Sequence, residues 1–101
     1  MKIGIGITTH NRPQVFRHTL RNVLKFAPRG AKVVVVDDAS TDTVREATYR
    51  FDVNAGIARA KNKCLELLED CDHIFLFDDD TYPIKKGWEQ PYIDSAEPHL
   101  M

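Results

Sequence analysis

The sequence predicts an α/β fold, an open, mostly parallel sheet with helices on both faces. Three observations carry that expectation. Segments of strand and helix character alternate along the chain. Val33-Val34-Val35-Val36 is a β-branched run without polar alternation, as in a strand covered on both sides. A polar cluster follows each strand candidate, and right-handed crossovers between parallel strands bring such clusters to one sheet edge. Functional groups in these sheets collect there, beyond the carboxyl ends of the strands, where the strand order reverses.

Taken in order, Ile3-Gly4-Ile5-Gly6-Ile7 reads as the first strand, its glycines marking close approach of backbone or ligand. Asn11 is placed to cap a helix and Pro13 suits its first turn. Phe16, Leu20, Val23, Leu24 and Ala27 then repeat at helical spacing until Pro28-Arg29-Gly30 ends the run. The valines form the second strand. Asp37-Asp38-Ala39-Ser40-Thr41-Asp42 follows as a polar turn, with Ser40, Thr41 or Asp42 capping a short helix through Ala47. Tyr49 to Val53 is a weak third strand. Asn54-Ala55-Gly56 opens a second helix, with Ile57, Ala60, Cys64, Leu65 and Leu68 on one stripe. His73 to Phe77 is the last strand and runs into Asp78-Asp79-Asp80.

Composition narrows the function classes. A chain of 101 residues, 43% hydrophobic and 29% charged, supports one core and not two. The expected organisation is a single domain over residues 1–101, with its core at about 2–83 and a carboxyl segment at 84–101. In that segment Trp88, with Ile84 and Tyr92, either packs onto the sheet or forms a face for a partner domain or a second copy. Fourteen basic against fifteen acidic residues, a net charge of −1, argue against a nucleic-acid or membrane-surface binder. No apolar run approaches the ~20 residues that span a bilayer, and Met1 to Ile7 lacks the pattern of a signal peptide. Cys64 and Cys71 have neither CxxC spacing nor the density of a disulfide scaffold, so a reducing, cytoplasmic setting is expected.

Several carboxylates at one rim repel one another unless a cation or donors compensate. Hard cations such as Mg²⁺ or Mn²⁺ are held by one or two carboxylates together with substrate phosphates. If Asp78 to Asp80 stays extended, Asp78 and Asp80 point to one side and Asp79 to the other. One carboxylate then holds a metal while another meets a ribose hydroxyl. Plain solvation is the competing account of an acidic triplet.

Four segments together resemble the nucleotide-binding half of the family-two glycosyltransferases, which have the GT-A fold. Ile7-Thr8-Thr9-His10-Asn11-Arg12-Pro13 is similar to the family's T-x-x-N-R loop, and Val35-Val36-Asp37-Asp38-Ala39-Ser40-Thr41-Asp42 to its V-D-D-x-S-x-D turn. Asn54-Ala55-Gly56-Ile57-Ala58-Arg59-Ala60-Lys61-Asn62 is similar to its N-x-G-x-x-x-A-R-N helix start, and Phe75-Leu76-Phe77-Asp78-Asp79-Asp80 to the strand entering its DxD motif. The resemblance runs from about Lys2 to Trp88. It implies a nucleotide-sugar donor, UDP-linked, bound with Mn²⁺ or Mg²⁺ and transferred to an unknown acceptor. Thr8, Thr9, Asn11 and Arg12 would line the donor site, with Thr8 at the base and ribose. Asp37 would accept from the uracil imide, with Asp38 close by. Asn54 and Gly56 would stand at the helix end that favours anions, with Arg59 or Lys61 approaching base or diphosphate. Asp78 or Asp79 would touch ribose or sugar, and Asp80, with Asp78, the metal. The third motif departs from the family in Lys61-Asn62-Lys63, where Arg-Asn-Gly is usual. The family's acceptor site and general base lie in a second half that nothing after Pro83 resembles, so the catalytic residues are unassigned. Glu97 and His99 are the late titratable candidates.

Other readings compete. His10 and His18 are either solvated or phosphate contacts; His73 reads as structural, Cys64 as core, Cys71 as inert and Lys85-Lys86 as a solvated pair. A receiver-type signalling module is also small, doubly wound and acidic at its strand ends, but its paired acids follow the first strand, where this chain has Thr8-Thr9-His10. A nucleotidyltransferase would carry its glycines after that strand and not inside it. A non-catalytic binding or interaction domain keeps the fold without the reaction.

Overall fold

Seven elements follow one another in the computed structural model, which describes residues 2–94. They are β1 (Ile3–Thr9), α1 (Pro13–Phe26), β2 (Lys32–Asp37), β3 (Tyr49–Arg50), α2 (Ile57–Leu67), β4 (His73–Asp78) and α3 (Gln90–Ile93). Glu97 and His99 lie outside the described residues. The strands are all parallel, in the order β3-β2-β1-β4. The chain steps outward from β1 to β3 and then crosses to the other side of β1, so the order reverses between β1 and β4. Thr9 is in register with Asp37 and Thr8 with Asp78, which ends three strands at one level.

The period of two sorts the strand residues between the two apolar faces of the single sheet. Ile5, Ile7, Val35, Phe75 and Phe77 point to one face, where Phe16 and Val23 of α1 cover them. Val34, Val36 and Leu76 point to the other, where Ala60, Cys64 and Leu68 cover them. The continuous apolar run of β2 is thus one strand serving both faces. The glycines of β1 lie on the second face: a Cβ at Gly6 would stand 2.8 Å from Cys64 Cβ, and one at Gly4 2.8 Å from Cys71 Sγ. What approaches the strand closely is therefore α2 and the turn that follows it, and no ligand is needed to explain either glycine. Burial pushes the Cys64 thiol up to about 12, in keeping with its expected place in the core.

Several local expectations are overturned. Asn11 does not cap α1: it sits at φ 53, and Arg12 takes the N-cap position with no side-chain hydrogen bond. No helix forms through Ala47. Asp37 Oδ1 accepts from both Ser40 N–H (3.1 Å) and Ser40 Oγ (2.5 Å), and Ala39 turns left-handed at φ 55. The hydroxyl that would cap a helix closes a turn on the strand end. The third strand shrinks to two residues. Ile57 and Leu65, expected on the buried stripe of α2, are exposed, as is Leu24 on α1.

The segment after Pro83 folds back on β4. Trp88 is buried edge-on against Phe75 and Phe77, at ring-centroid distances of 4.9 and 5.5 Å, and its Nε1 donates to the Phe26 carbonyl at 2.8 Å. Ile84, expected beside it, is instead 78% exposed.

Candidate functional site

A cavity of about 460 Å³ opens at the carboxyl ends of β1 and β4, where the strand order reverses. Of the residues expected at the site, Thr8, Thr9, Arg12, Asp38, Asn54, Gly56, Asp78, Asp79 and Asp80 line it. His10, Ile57 and Ala60 join them. Asn11, Asp37, Arg59 and Lys61 do not line it.

The four that stand apart divide into scaffold and surface. Asp37 is fully buried, with Oδ2 accepting from Arg50 Nη1 at 2.9 Å and Oδ1 taken by Ser40. Asn11 joins two rim loops, its N–H donating to Ser40 Oγ at 2.9 Å and its Oδ1 accepting from Thr41 N–H at 2.6 Å. Arg59 is exposed and forms no ion pair among the described residues. Lys61, two residues on, brings Nζ to 3.2 Å from Asp78 Oδ1. Of the two basic candidates on α2, Lys61 is the one directed at the acidic cluster.

The start of α2 is pinned from β2. Asp38 Oδ1 and Oδ2 accept from the Ala55 and Gly56 amides at 2.6 and 3.0 Å. Gly56, at φ 91, makes the bend that a side chain would strain, and the positive end of α2 opens on the cavity. His10 Nδ1 meets the Asp38 carbonyl, which can only accept, so Nδ1 carries the proton and Nε2 accepts from Asn11 Nδ2 at 3.2 Å.

The acidic triplet does not stay extended. Asp78 ends β4, and Thr81 closes a turn on it, its Oγ1 accepting from the Asp78 N–H at 3.0 Å. The turn, and not the alternation of a strand, decides where the three carboxylates point. Asp79 is turned inward and buried. Its Oδ2 accepts from Thr9 Oγ1 and its Oδ1 from Arg12 Nη1, both at 3.1 Å. Burial raises its pKa, against the lowering effect of Thr9 and Arg12. Its backbone carbonyl accepts from the buried Thr19 hydroxyl at 2.6 Å, a link from α1 to the turn. Asp80 stays half in solvent, with Arg12 Nη1 at 3.6 Å. Nothing in the sequence pattern marks Thr19 or Arg50 for these tasks.

Two buried oxygens on this side of the molecule lack a hydrogen bond, Thr8 Oγ1 and Asp78 Oδ1. Lys61 is within ion-pair distance of the second but not aligned as a donor. No three His, Cys, Asp or Glu side chains cluster closely enough among the described residues to hold a metal unaided. The donor set fits a hard cation held by one or two carboxylates and completed by ligand phosphates.

Comparison with known proteins agrees with this architecture. The sequence model described as glycosyl transferase family 2 matches residues 5–97. An uncharacterized glycosyltransferase, R363 of Acanthamoeba polyphaga mimivirus, is 33% identical across 94% of this chain and 44% of its own length. This chain therefore spans less than half of that relative. Among solved structures, S. aureus TarS matches 92% of the chain at a TM-score of 0.73 and 23% identity, over 19% of its own length. The structure of TarS 1–349 matches equally well, over 31% of its length. At that identity the likeness is one of fold. No helix among the described residues is long and apolar enough to cross a membrane.

Proposed function

The chain belongs to glycosyl transferase family 2, and from that premise we propose that it binds the nucleotide-sugar donor, UDP-linked, for transfer of the sugar to an acceptor. With the family established, the receiver and nucleotidyltransferase readings fall away. The observation that carries the proposal is the convergence of rim segments from β1, β2, α2 and β4 on one cavity beside the acidic turn. Thr8 and Thr9 line the base and ribose side, and the unpartnered Thr8 hydroxyl is available to a ligand hydroxyl or carbonyl. Gly56 and the amino end of α2 face the diphosphate. Arg12 and Lys61 supply its counter-charge from opposite sides of the acidic turn. Asp37 and Asp38 act mainly by holding the rim, since Asp37 is occupied by Ser40 and Arg50, and Asp38 by two backbone amides.

Asp80, with Asp78, would hold Mn²⁺ or Mg²⁺. A divalent cation there supplies Lewis-acid stabilisation of the charge that grows on the departing nucleoside diphosphate. The whole cytoplasmic protein and its acceptor chemistry form part of the same proposal, as does organisation of residues 1–101 as one donor-binding domain.

Isothermal titration of the folded 101-residue chain with UDP, in Mn²⁺ and then in EDTA, tests this. Binding that requires the metal is expected; no heat with Mn²⁺ present counts against it. A UDP-sugar hydrolysis assay separates an active domain from a binding domain that lacks the reaction.

A further inference from the structure

We infer that Arg12 is a built-in counter-ion that a divalent cation must displace, which makes metal and diphosphate binding depend on each other. The inference rests on the donor-site reading and adds to it an order of events. One nitrogen, Arg12 Nη1, lies 3.1 Å from Asp79 Oδ1 and 3.6 Å from Asp80 Oδ2. A cation held by Asp80, with Asp78, would meet this guanidinium beside Asp80, and the guanidinium must move to admit it. Lys61 does the corresponding work for the third acid, 3.2 Å from Asp78 Oδ1. Each carboxylate of the turn thus has a basic side chain of the protein beside it.

Arg12 is free to leave. Its side chain is 47% exposed, and among the described residues only the two acids engage its guanidinium. A guanidinium matches phosphate as well as carboxylate, through the same planar fork. An arriving diphosphate therefore gives Arg12 a second partner across the same cavity and uncovers Asp79 and Asp80. A metal arriving alone finds fewer than three clustered ligands and a positive charge beside two of them. A diphosphate removes both obstacles by drawing off the guanidinium and adding phosphate oxygens. Linkage makes the effect mutual: whatever factor the diphosphate adds to metal affinity, the metal adds to diphosphate affinity.

The test is Mn²⁺ binding to the 101-residue chain, read from the electron paramagnetic resonance of free Mn²⁺. It is run with MnCl₂ alone, with inorganic pyrophosphate and with UDP, each against a protein-free titration that subtracts the Mn²⁺ these ligands bind themselves. Wild type should bind Mn²⁺ weakly alone and at least about tenfold more tightly with pyrophosphate. Arg12→Gln should tighten Mn²⁺ binding alone by about tenfold, because a neighbouring positive charge is gone, and should lose most of the gain from pyrophosphate. Arg12→Lys, which keeps the charge, should stay near wild type in Mn²⁺ binding alone. Mn²⁺ binding to Arg12→Gln that is unchanged or weaker overturns the inference, as does a full pyrophosphate gain in that variant. Should Arg12→Gln not fold, the wild-type data decide: equal Mn²⁺ affinity with and without pyrophosphate overturns it. UDP that fails to bind while pyrophosphate coupling persists would sink the nucleotide reading and leave the Arg12 inference standing.

Discussion

Replacing Arg50 with Met should destabilise the chain by about 3 kcal/mol, almost all of it through one carboxylate. Asp37 is fully buried, and Arg50 Nη1 is its one cationic partner among the described residues, at 2.9 Å. Stranding a buried charge by removing its partner costs about 3–5 kcal/mol in general. Two features reduce that figure here. Arg50 is 40% exposed, so water reaches the gap its side chain leaves, and Ser40 still donates twice to Oδ1. About 2 kcal/mol is left for the charge. Arg50 Nη2 also donates to the Ser40 carbonyl at 2.7 Å, worth about 1 kcal/mol more. Met keeps most of the aliphatic stem, so lost packing adds little. The assay is urea denaturation followed by the fluorescence of the single tryptophan, Trp88. Repeating Arg50→Met in an Asp37→Asn background isolates the charge. There the cost should fall to about 1 kcal/mol, a coupling of about 2 kcal/mol between the two sites. A coupling below about 0.5 kcal/mol would refute the reasoning, because Arg50 would then act through packing and not as the counter-ion of Asp37.

Three further outcomes follow from single contacts. Thr19→Val removes the donor to the Asp79 carbonyl at 2.6 Å and leaves that oxygen buried, so stability should drop by about 1–3 kcal/mol, with Thr19→Ser close to wild type; equal losses in both variants would point to packing instead. Gly6→Ala puts a methyl 2.8 Å from Cys64 Cβ and should lower the urea midpoint by the equivalent of about 1–3 kcal/mol at unchanged slope; an unchanged midpoint would mean that α2 does not sit this close to β1. Asp70 is held at about 2, below the ordinary 3.8, first by its hydrogen bond from Lys2 and then by that from Lys32. A carboxylate depressed on folding adds stability in full above its unfolded value and loses it as the pH falls toward the folded one. Acid titration from pH 3.8 to about 2 should therefore show a loss that Asp70→Asn flattens, and equal slopes would contradict the assignment.

The parts of the fold that could be read beforehand were those where one residue type has one use. Four β-branched residues in a row suit a strand covered on both faces, and β2 is that strand. Pro13 within the first turn and Pro28 past the end bracket α1 within a residue or two. Ambiguity came with residues whose side chains bond backbone in several ways. Asn11, Ser40 and Thr41 have cap chemistry, and the same oxygens and amides serve turns and loop-to-loop bridges. Which use wins depends on Asp37, placed by the sheet, and not on local spacing. The stripe of α2 was read too wide: Ala60, Cys64 and Leu68 lie against the sheet, while Ile57 and Leu65 face solvent. Arg50 and Thr19 were not legible at all, since their partners are 13 and 60 residues away in sequence.

The same contacts separate the acids of the rim by what can be exchanged for their partners. Asp38 is held by two amides that start α2, and Asp37 by Ser40 and a half-buried ion pair with Arg50. Losing either set dismantles a loop. Asp78, Asp79 and Asp80 are different, because their basic partners are Lys61 and Arg12, long side chains that can turn elsewhere without moving backbone. Crowding five carboxylates at one edge is thus tolerable for two distinct reasons: fixed donors for the pair after β2, replaceable cations for the triplet after β4. Only the second group can trade partners with an incoming ligand. It follows that Asp37→Asn and Asp38→Asn should show first in stability, and Asp80→Asn first in Mn²⁺ binding with little effect on the urea midpoint. An Asp80→Asn variant that unfolds like the Asp37 variant and keeps wild-type Mn²⁺ affinity would remove the distinction.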